Sequence, residues 1–176
     1  MKAESPTSRE GSVSIGNSVD PKQKAFLDLI AWSEGTSTHP LTKWNGYDVI
    51  VTGVRGQEVF SSFANHPFAA GREPQVIRRN PLLTSTAAGR YQLLLRYWKI
   101  YREQLGLIDF SPASQDAVAL QQIKERGALP LIANSQTDQA IRACSNVWAS
   151  LPGNNYGQGG KTMKALLDHH STLIEA

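Results

Sequence analysis

Between Lys22 and Glu34 the apolar positions recur at helical spacing. Phe26, Leu29 and Ile30 share one stripe with Ser33 and Glu34, so two polar residues lie on a face that is otherwise apolar. Asp20-Pro21 supplies a start, with a carboxylate as N-cap and proline at the first helical position, and Gly35 supplies a stop. The period then changes. Tyr47, Val49 and Val51 alternate with Asp48 and Ile50, and Val59, Phe60 and Phe63 follow a turn bearing Gly53 and Gly56. This predicts a small antiparallel hairpin or sheet over 44–68. Residues 68–86 show no clear period and read as an irregular basic loop with Arg72, Arg78 and Arg79.

Helical spacing returns from Ala87. Tyr91, Leu94, Leu95, Trp98, Tyr101 and Leu105 form a stripe that Gly106 ends. Ser111-Pro112 opens another helix, with Ala117, Leu120 and Ile123 inward and Gly127 as the stop. A short proline-broken helix over 129–132 follows. Thr137 then caps a helix carrying Ala140, Ile141, Cys144, Val147 and Trp148 on one face until Pro152-Gly153, and 163–174 forms the last helix. Helix, small sheet, then helical lobe is an α+β order. Residues 1–19 are polar and aperiodic and read as a flexible leader.

Composition changes this picture little. Of 176 residues 40% are hydrophobic and 19% charged, as in an ordinary globular domain. The net charge of +3 suits an anionic polymer, nucleic acid or cell-wall glycan, without choosing between them; it also simply aids solubility. One cysteine, Cys144, excludes an intrachain disulfide and a zinc ribbon. His39, His66, His169 and His170 lack metal-ligand spacing, and no phosphate-cradling G-x-x-x-x-G-K-[ST] loop occurs. The expectation is therefore no metal and no cofactor. The first twenty residues lack the apolar core of a secretory signal, which leads to the expectation of a protein held in the cytoplasm of the cell that makes it.

Glu34 is the first candidate for chemistry. A carboxyl group at a helix C-terminus meets the negative end of the macrodipole, and on an apolar stripe it is poorly solvated. Both effects favour the protonated form that a general acid needs. The plain alternative is a frayed helix end paired with a lysine. Asp48 is a second carboxylate, suited to a two-carboxylate glycosidase or to sugar hydroxyls, or else just the solvent-facing position of a strand. The run Ala88-Gly89-Arg90-Tyr91-Gln92 follows Thr84-Ser85-Thr86. Its glycine permits close approach of a ligand and Gln92 offers donor and acceptor to amide-bearing sugars; the plain alternative is a helix start capped by Ser85 or Thr86. Tyr156, in the loop Gly153-Asn154-Asn155-Tyr156-Gly157, presents a ring able to stack on a sugar, within what is also an ordinary turn. The four tryptophans read as core, with Trp44 beside Asn45-Gly46 left open as a ligand platform.

The runs Ala31-Trp32-Ser33-Glu34-Gly35-Thr36, Gly46-Tyr47-Asp48-Val49-Ile50-Val51, Ala88-Gly89-Arg90-Tyr91-Gln92-Leu93-Leu94 and Trp148-Ala149-Ser150-Leu151-Pro152-Gly153 closely resemble the lambda-type endolysins of bacteriophages. The long run from Ser114 to Pro130 does so too, and the resemblance extends in order over about 22–170. It implies a lysozyme-like fold, with a small antiparallel sheet lobe and a larger helical lobe flanking a saccharide cleft, and residues 20–176 as one catalytic domain. It implies lytic transglycosylase activity on peptidoglycan, with Glu34 as the single catalytic residue and Asp48, Gln92, Tyr156, Ser85 and Tyr91 as substrate contacts. It further implies release across the inner membrane by a holin, to act on the host wall in the periplasm. From the residues themselves a monomer is expected, since no extra apolar surface stripe is evident, with no cofactor and, on so modest a basic charge, no nucleic acid. Two departures stand out: 60–67 lacks acidic residues the family carries there, and the loop 68–76 is enlarged. A hydrolytic muramidase of the same fold, with Asp48 orienting water, is the alternative. A non-catalytic murein-binding or virion module is the alternative of another class.

Overall fold

The computed structural model describes residues 19–153 and 160–175. Most of the expected leader, and Tyr156 with its loop, lie outside the described residues.

Helix α1 spans Pro21–Ser33, and the Asp20 carboxylate accepts from the backbone N–H of Lys22 and Gln23 at 2.9 and 3.2 Å. That satisfies two donors which the first turn of a helix leaves open. Phe26, Leu29, Ile30 and Ser33 are buried, as the stripe predicts. Each large apolar side chain so buried stabilises the fold by roughly 1.5–3 kcal/mol. Gly35, at φ +74°, takes the left-handed conformation that ends the helix, and the N–H of Thr36 returns to the carbonyl of Ala31.

Strands β1 (Val49–Gly53) and β2 (Gly56–Val59) form the expected hairpin. Asp48 does not face solvent from it: the strand begins one residue later, and Asp48 is buried. The supposed loop 68–86 is in fact largely ordered as a second hairpin, β3 (Gln75–Arg79) and β4 (Leu82–Ser85), with Val76 opposite Thr84. Neither strand has a buried residue, so the inward–outward alternation that marks a strand in a sequence never develops.

The segment 87–94 is also not helical. It forms β5 (Ala87–Ala88), a tight turn and β6 (Leu93–Leu94), and completes a four-stranded sheet in the order β2-β1-β5-β6. Its backbone donors go to tertiary partners instead of to carbonyls four residues back. Gly89 donates to the Val49 carbonyl at 2.8 Å, and Arg90 donates to the Gln115 side-chain oxygen at 2.9 Å. Helix α2 is thus only Leu95–Leu105, ended by Gly106 in the left-handed region. The Thr86 hydroxyl accepts from the N–H of Leu95, so one of the two expected capping groups serves that helix from across the turn.

Helix α3 (Pro112–Glu125) opens on Ser111, whose hydroxyl accepts from Ser114 N–H. Its buried apolar positions are Val118, Ala119 and Ile123; Ala117 and Leu120, expected inward, are half-buried. The reason is that α3 serves two cores. Ala119 and Ile123 join α1, α4 (Ala128–Ala133), α5 (Thr137–Cys144) and α6 (Met163–Ile174), whereas Val118 joins Ile50, Phe68, Ala88, Trp98 and Phe110 beneath the sheet. Helix α5 stops at Cys144, well before Pro152, and Gln136 takes the cap position expected of Thr137. Trp148 is nevertheless buried, anchored by its indole N–H to the Tyr91 carbonyl at 3.1 Å. The last helix lies where the periodicity predicts it.

Candidate active site

Glu34 is the C-cap of α1, at the end of the stripe that plants the helix in the core. It is half-buried. Burial drives its carboxyl pKa above the ordinary carboxylate value, because the charged form loses solvation. The Ser150 hydroxyl opposes that shift: it donates to Glu34 Oε1 at 2.5 Å. Ser33, also on the stripe, sends its hydroxyl to Ser150 Oγ at 2.9 Å. The result is a carboxyl group held by hydroxyls and biased toward its acid form, a suitable proton donor.

The chain leaving α1 is pinned from two sides. The buried Thr36 hydroxyl donates to the Arg90 carbonyl at 2.6 Å. Gly46, at φ +90°, lies so close that a Cβ there would stand 2.8 Å from the Thr36 carbonyl carbon. Only glycine permits this approach. It brings the 42–48 turn against the residues that follow Glu34. The Arg90 guanidinium in turn reaches Asp28 on α1 at 2.7 Å and the Asn45 carbonyl, and lies 5.0 Å from the centre of the Tyr47 ring.

The other expected site residues fall in different places. The Asp48 carboxylate faces inward and accepts from the Thr42 hydroxyl and, at 2.9 Å, from Lys43 N–H. It holds the turn that packs on Thr36; both its oxygens are engaged within the protein. Tyr91, expected as a substrate contact, is a core residue: it is buried and its hydroxyl donates to Asp116 Oδ1 at 2.7 Å, the oxygen that Tyr47 also uses at 2.8 Å. Ser85 ends β4, and its hydroxyl accepts from Ala87 N–H at 3.1 Å, a link between the hairpins. Gln92 is half-buried at φ +50° and donates to the Gly89 carbonyl at 3.0 Å. Gln92 lines a recess with Tyr97, Tyr101, Arg126 and Asn146. Trp44 is 57% exposed and meets Phe63 edge-on at 5.8 Å, beside Lys43, Phe60 and Arg72. The position left open as a platform is therefore an exposed ring, while Trp98 and Trp148 are core. Among the described residues no three His, Cys, Asp or Glu side chains gather as a metal site.

Ser150 was not legible as a site residue. It lies 116 positions from Glu34, and a serine between Ala149 and Leu151 carries no periodic signal. Ser33 did carry one, its place on the apolar stripe, but not the identity of its partner.

A family model described as Endolysin matches residues 24–173. The chain is 57% identical to the endolysin of Escherichia phage lambda over 141 residues, covering 80% of this chain and 83% of that one. It is 54% identical to the endolysin of Escherichia phage P2 over 144 residues, covering 81% and 87%. Among solved structures, bacteriophage lambda lysozyme complexed with a chitohexasaccharide superposes with a TM-score of 0.78 at 52% identity, covering 89% of this chain and 96% of the other. Lysozyme from bacteriophage lambda gives 0.70 at 49% identity, covering 90% and 92%. The expected α+β, lysozyme-like fold is thereby met.

Proposed function

The chain belongs to the endolysin family, and from that premise we propose that it is a lytic transglycosylase in which Glu34 works alone. The coarser activity follows from membership: it is a peptidoglycan-degrading enzyme of the phage lysozyme type. A related lysozyme binds a chitohexasaccharide, and we take the surface beside Glu34 to receive the equivalent glycan strand here.

Protonated Glu34 donates its proton to the oxygen between N-acetylmuramic acid and N-acetylglucosamine, and the bond from that oxygen to the anomeric carbon breaks. The 6-hydroxyl of the same muramic acid attacks the anomeric carbon. The Glu34 carboxylate takes the hydroxyl proton and is restored to its acid form. The products are a 1,6-anhydro end and a free 4-hydroxyl; no water is consumed. An internal nucleophile is already positioned, so a second carboxylate is not required. The observation that carries this reading is the contrast between the two acids: Glu34 is biased toward the protonated form, whereas both Asp48 oxygens are committed to the 42–46 turn.

A hydrolase would need a group to orient water, and Asp48 was the candidate. Analysis of soluble muropeptides separates the two: 1,6-anhydro-muramic ends are expected, and reducing muramic ends would refute the transglycosylase reading. Glu34→Gln is expected to abolish clearing of a murein suspension, a loss on the order of 10²–10⁴-fold for a general acid. Full clearing by that variant would refute Glu34 as the acid, whereas a variant that still binds murein but no longer clears it rules out a non-catalytic wall-binding module. We propose release through a holin and action in the periplasm as the setting. In a lysis assay, deleting a co-expressed holin should delay lysis while leaving lysate activity intact. No helix among the described residues is long and apolar enough to cross a membrane.

A further inference from the structure

We propose that Ser150 is a positioning residue that selects the reacting oxygen of Glu34, and that Gly160 keeps Ser150 in place to do so. The inference rests on the reading of Glu34 as the general acid.

Each serine hydroxyl has one hydrogen to give. Ser150 gives its hydrogen to Glu34 Oε1 at 2.5 Å, and its own oxygen then accepts from Ser33 at 2.9 Å. The chain runs in one direction, Ser33 to Ser150 to Glu34, and aligned links of this kind strengthen one another. With Oε1 occupied as an acceptor, the transferable proton belongs on Oε2. The opposite polarity would place the acid proton on Oε1 and turn the Ser150 hydrogen away from Glu34; directed at Ser33 Oγ, it would leave the Ser33 hydrogen the longer 3.2 Å contact with the Ser150 carbonyl. The chain thus assigns donor and acceptor roles to two otherwise equivalent oxygens. Burial of Ser33 helps preserve the assignment, since water has little access to replace its hydroxyl.

Gly160 is the second element. A Cβ at this position would stand 2.5 Å from the Ser150 carbonyl oxygen and 3.0 Å from its carbon. The backbone returning at 160 therefore lies directly on the Ser150 peptide, and any side chain there must push that peptide aside. Ser150 acts on Glu34 through its hydroxyl and its backbone, so a displacement of its peptide by a few tenths of an ångström is enough to lengthen the hydroxyl bond.

The test uses the full chain with Ser150→Ala, Ser150→Thr, Ser33→Ala and Gly160→Ala. Two quantities are read: the pH profiles of kcat and kcat/KM on purified murein, and the titration of the Glu34 carboxyl by carbon NMR. Ser150→Ala is expected to lower kcat on the order of tenfold, as for one lost hydrogen bond to an ionisable group, with KM little changed. The bond favours the carboxylate, so its loss should also raise the Glu34 titration midpoint and move the alkaline limb of the rate profile to higher pH. Threonine should restore both. Ser33→Ala should shift them less in the same direction, and Gly160→Ala should act like Ser150→Ala without touching a hydroxyl. A folded Ser150→Ala with the parent's kcat and Glu34 titration overturns the proposal. So does a kcat loss with an unmoved titration, which would mark simple packing. If Ser150→Ala does not fold, an unmoved Glu34 titration in both Ser33→Ala and Gly160→Ala overturns it equally. Glu34→Gln separates the layers: an active variant removes the acid itself, whereas an inactive one beside an unaffected Ser150→Ala removes only the positioning role.

Discussion

Replacing Arg90 by Met tests how the chain beside Glu34 is held. The Arg90 side chain is 3% exposed, its guanidinium lies 2.7 Å from Asp28 and also donates to the Asn45 carbonyl, and it covers the Tyr47 ring. Methionine keeps most of the stem's volume and removes the charge. Asp28 and the Asn45 carbonyl then lose a donor in a place that water reaches poorly. Removing one partner of a buried pair costs about 3–5 kcal/mol. Asp28 is 24% exposed and retains Lys24 at 2.7 Å, so the lower end applies. At roughly 2–4 °C per kcal/mol for a domain of this size, the melting temperature should fall by about 6–12 °C. Urea unfolding followed by tryptophan fluorescence measures the loss directly. A double-mutant cycle with Asp28→Leu should give a coupling of at least about 1 kcal/mol, because the second replacement removes the stranded charge. A variant within about 1 kcal/mol of the parent, or a coupling indistinguishable from zero, would refute the role assigned to the pair.

Glu34→Gln should alter stability with pH as well as activity. Burial raises the Glu34 pKa in the folded chain, so the native state retains a proton that the unfolded chain releases. Stability therefore declines as pH rises from the unfolded value through the folded one. Glutamine removes that penalty, so the variant should melt above the parent at pH ~8, with the gap closing below pH ~4; a gap independent of pH would contradict this. His66 has the opposite sign. It is buried with Nε2 2.9 Å from the Leu93 carbonyl and Nδ1 accepting from Phe68 N–H, and burial lowers its pKa to about 4. The unfolded chain binds the proton first, so stability should be lost as pH falls from ~6.5 toward 4. Proton NMR of the ring should show titration near 4, and a midpoint near 6.5 in the folded protein would disprove the buried neutral form. Gly89→Ala should be severe, at about 3 kcal/mol or more. Gly89 has φ +80°, and an added Cβ would strike the Gln115 amide and meet the Phe110 ring at 3.1 Å. A chemical denaturation midpoint equal to the parent's would show that the turn can relax.

The sequence determined those features whose cause is local. Asp20-Pro21 starts α1 because the cap and the fixed proline φ act within one turn, and Gly35 and Gly106 end helices because each lies at a left-handed φ. Phe26, Leu29, Ile30 and Ser33 pointed inward because one stripe of one helix faces one core. The apolar period therefore places Glu34 at a poorly solvated helix end without reference to the fold, and the motif runs carry the resemblance to the lysozyme-like family. Tertiary structure decided the rest. The 87–94 segment has a helical apolar period, but Val49 and Gln115 capture its backbone hydrogen bonds from elsewhere in the chain. The second hairpin has no buried face to leave a signature. The internal partners of Asp48 and Tyr91, expected as substrate contacts, are Thr42, Lys43 and Asp116, and their spacing along the chain does not announce them. Ser150 enters the site only because the fold closes 116 positions of chain onto Glu34. Helix caps and stripes depend on neighbours a few residues apart and are written in order along the chain. A hydrogen bond between distant segments depends on where the whole fold brings them, which no local pattern encodes.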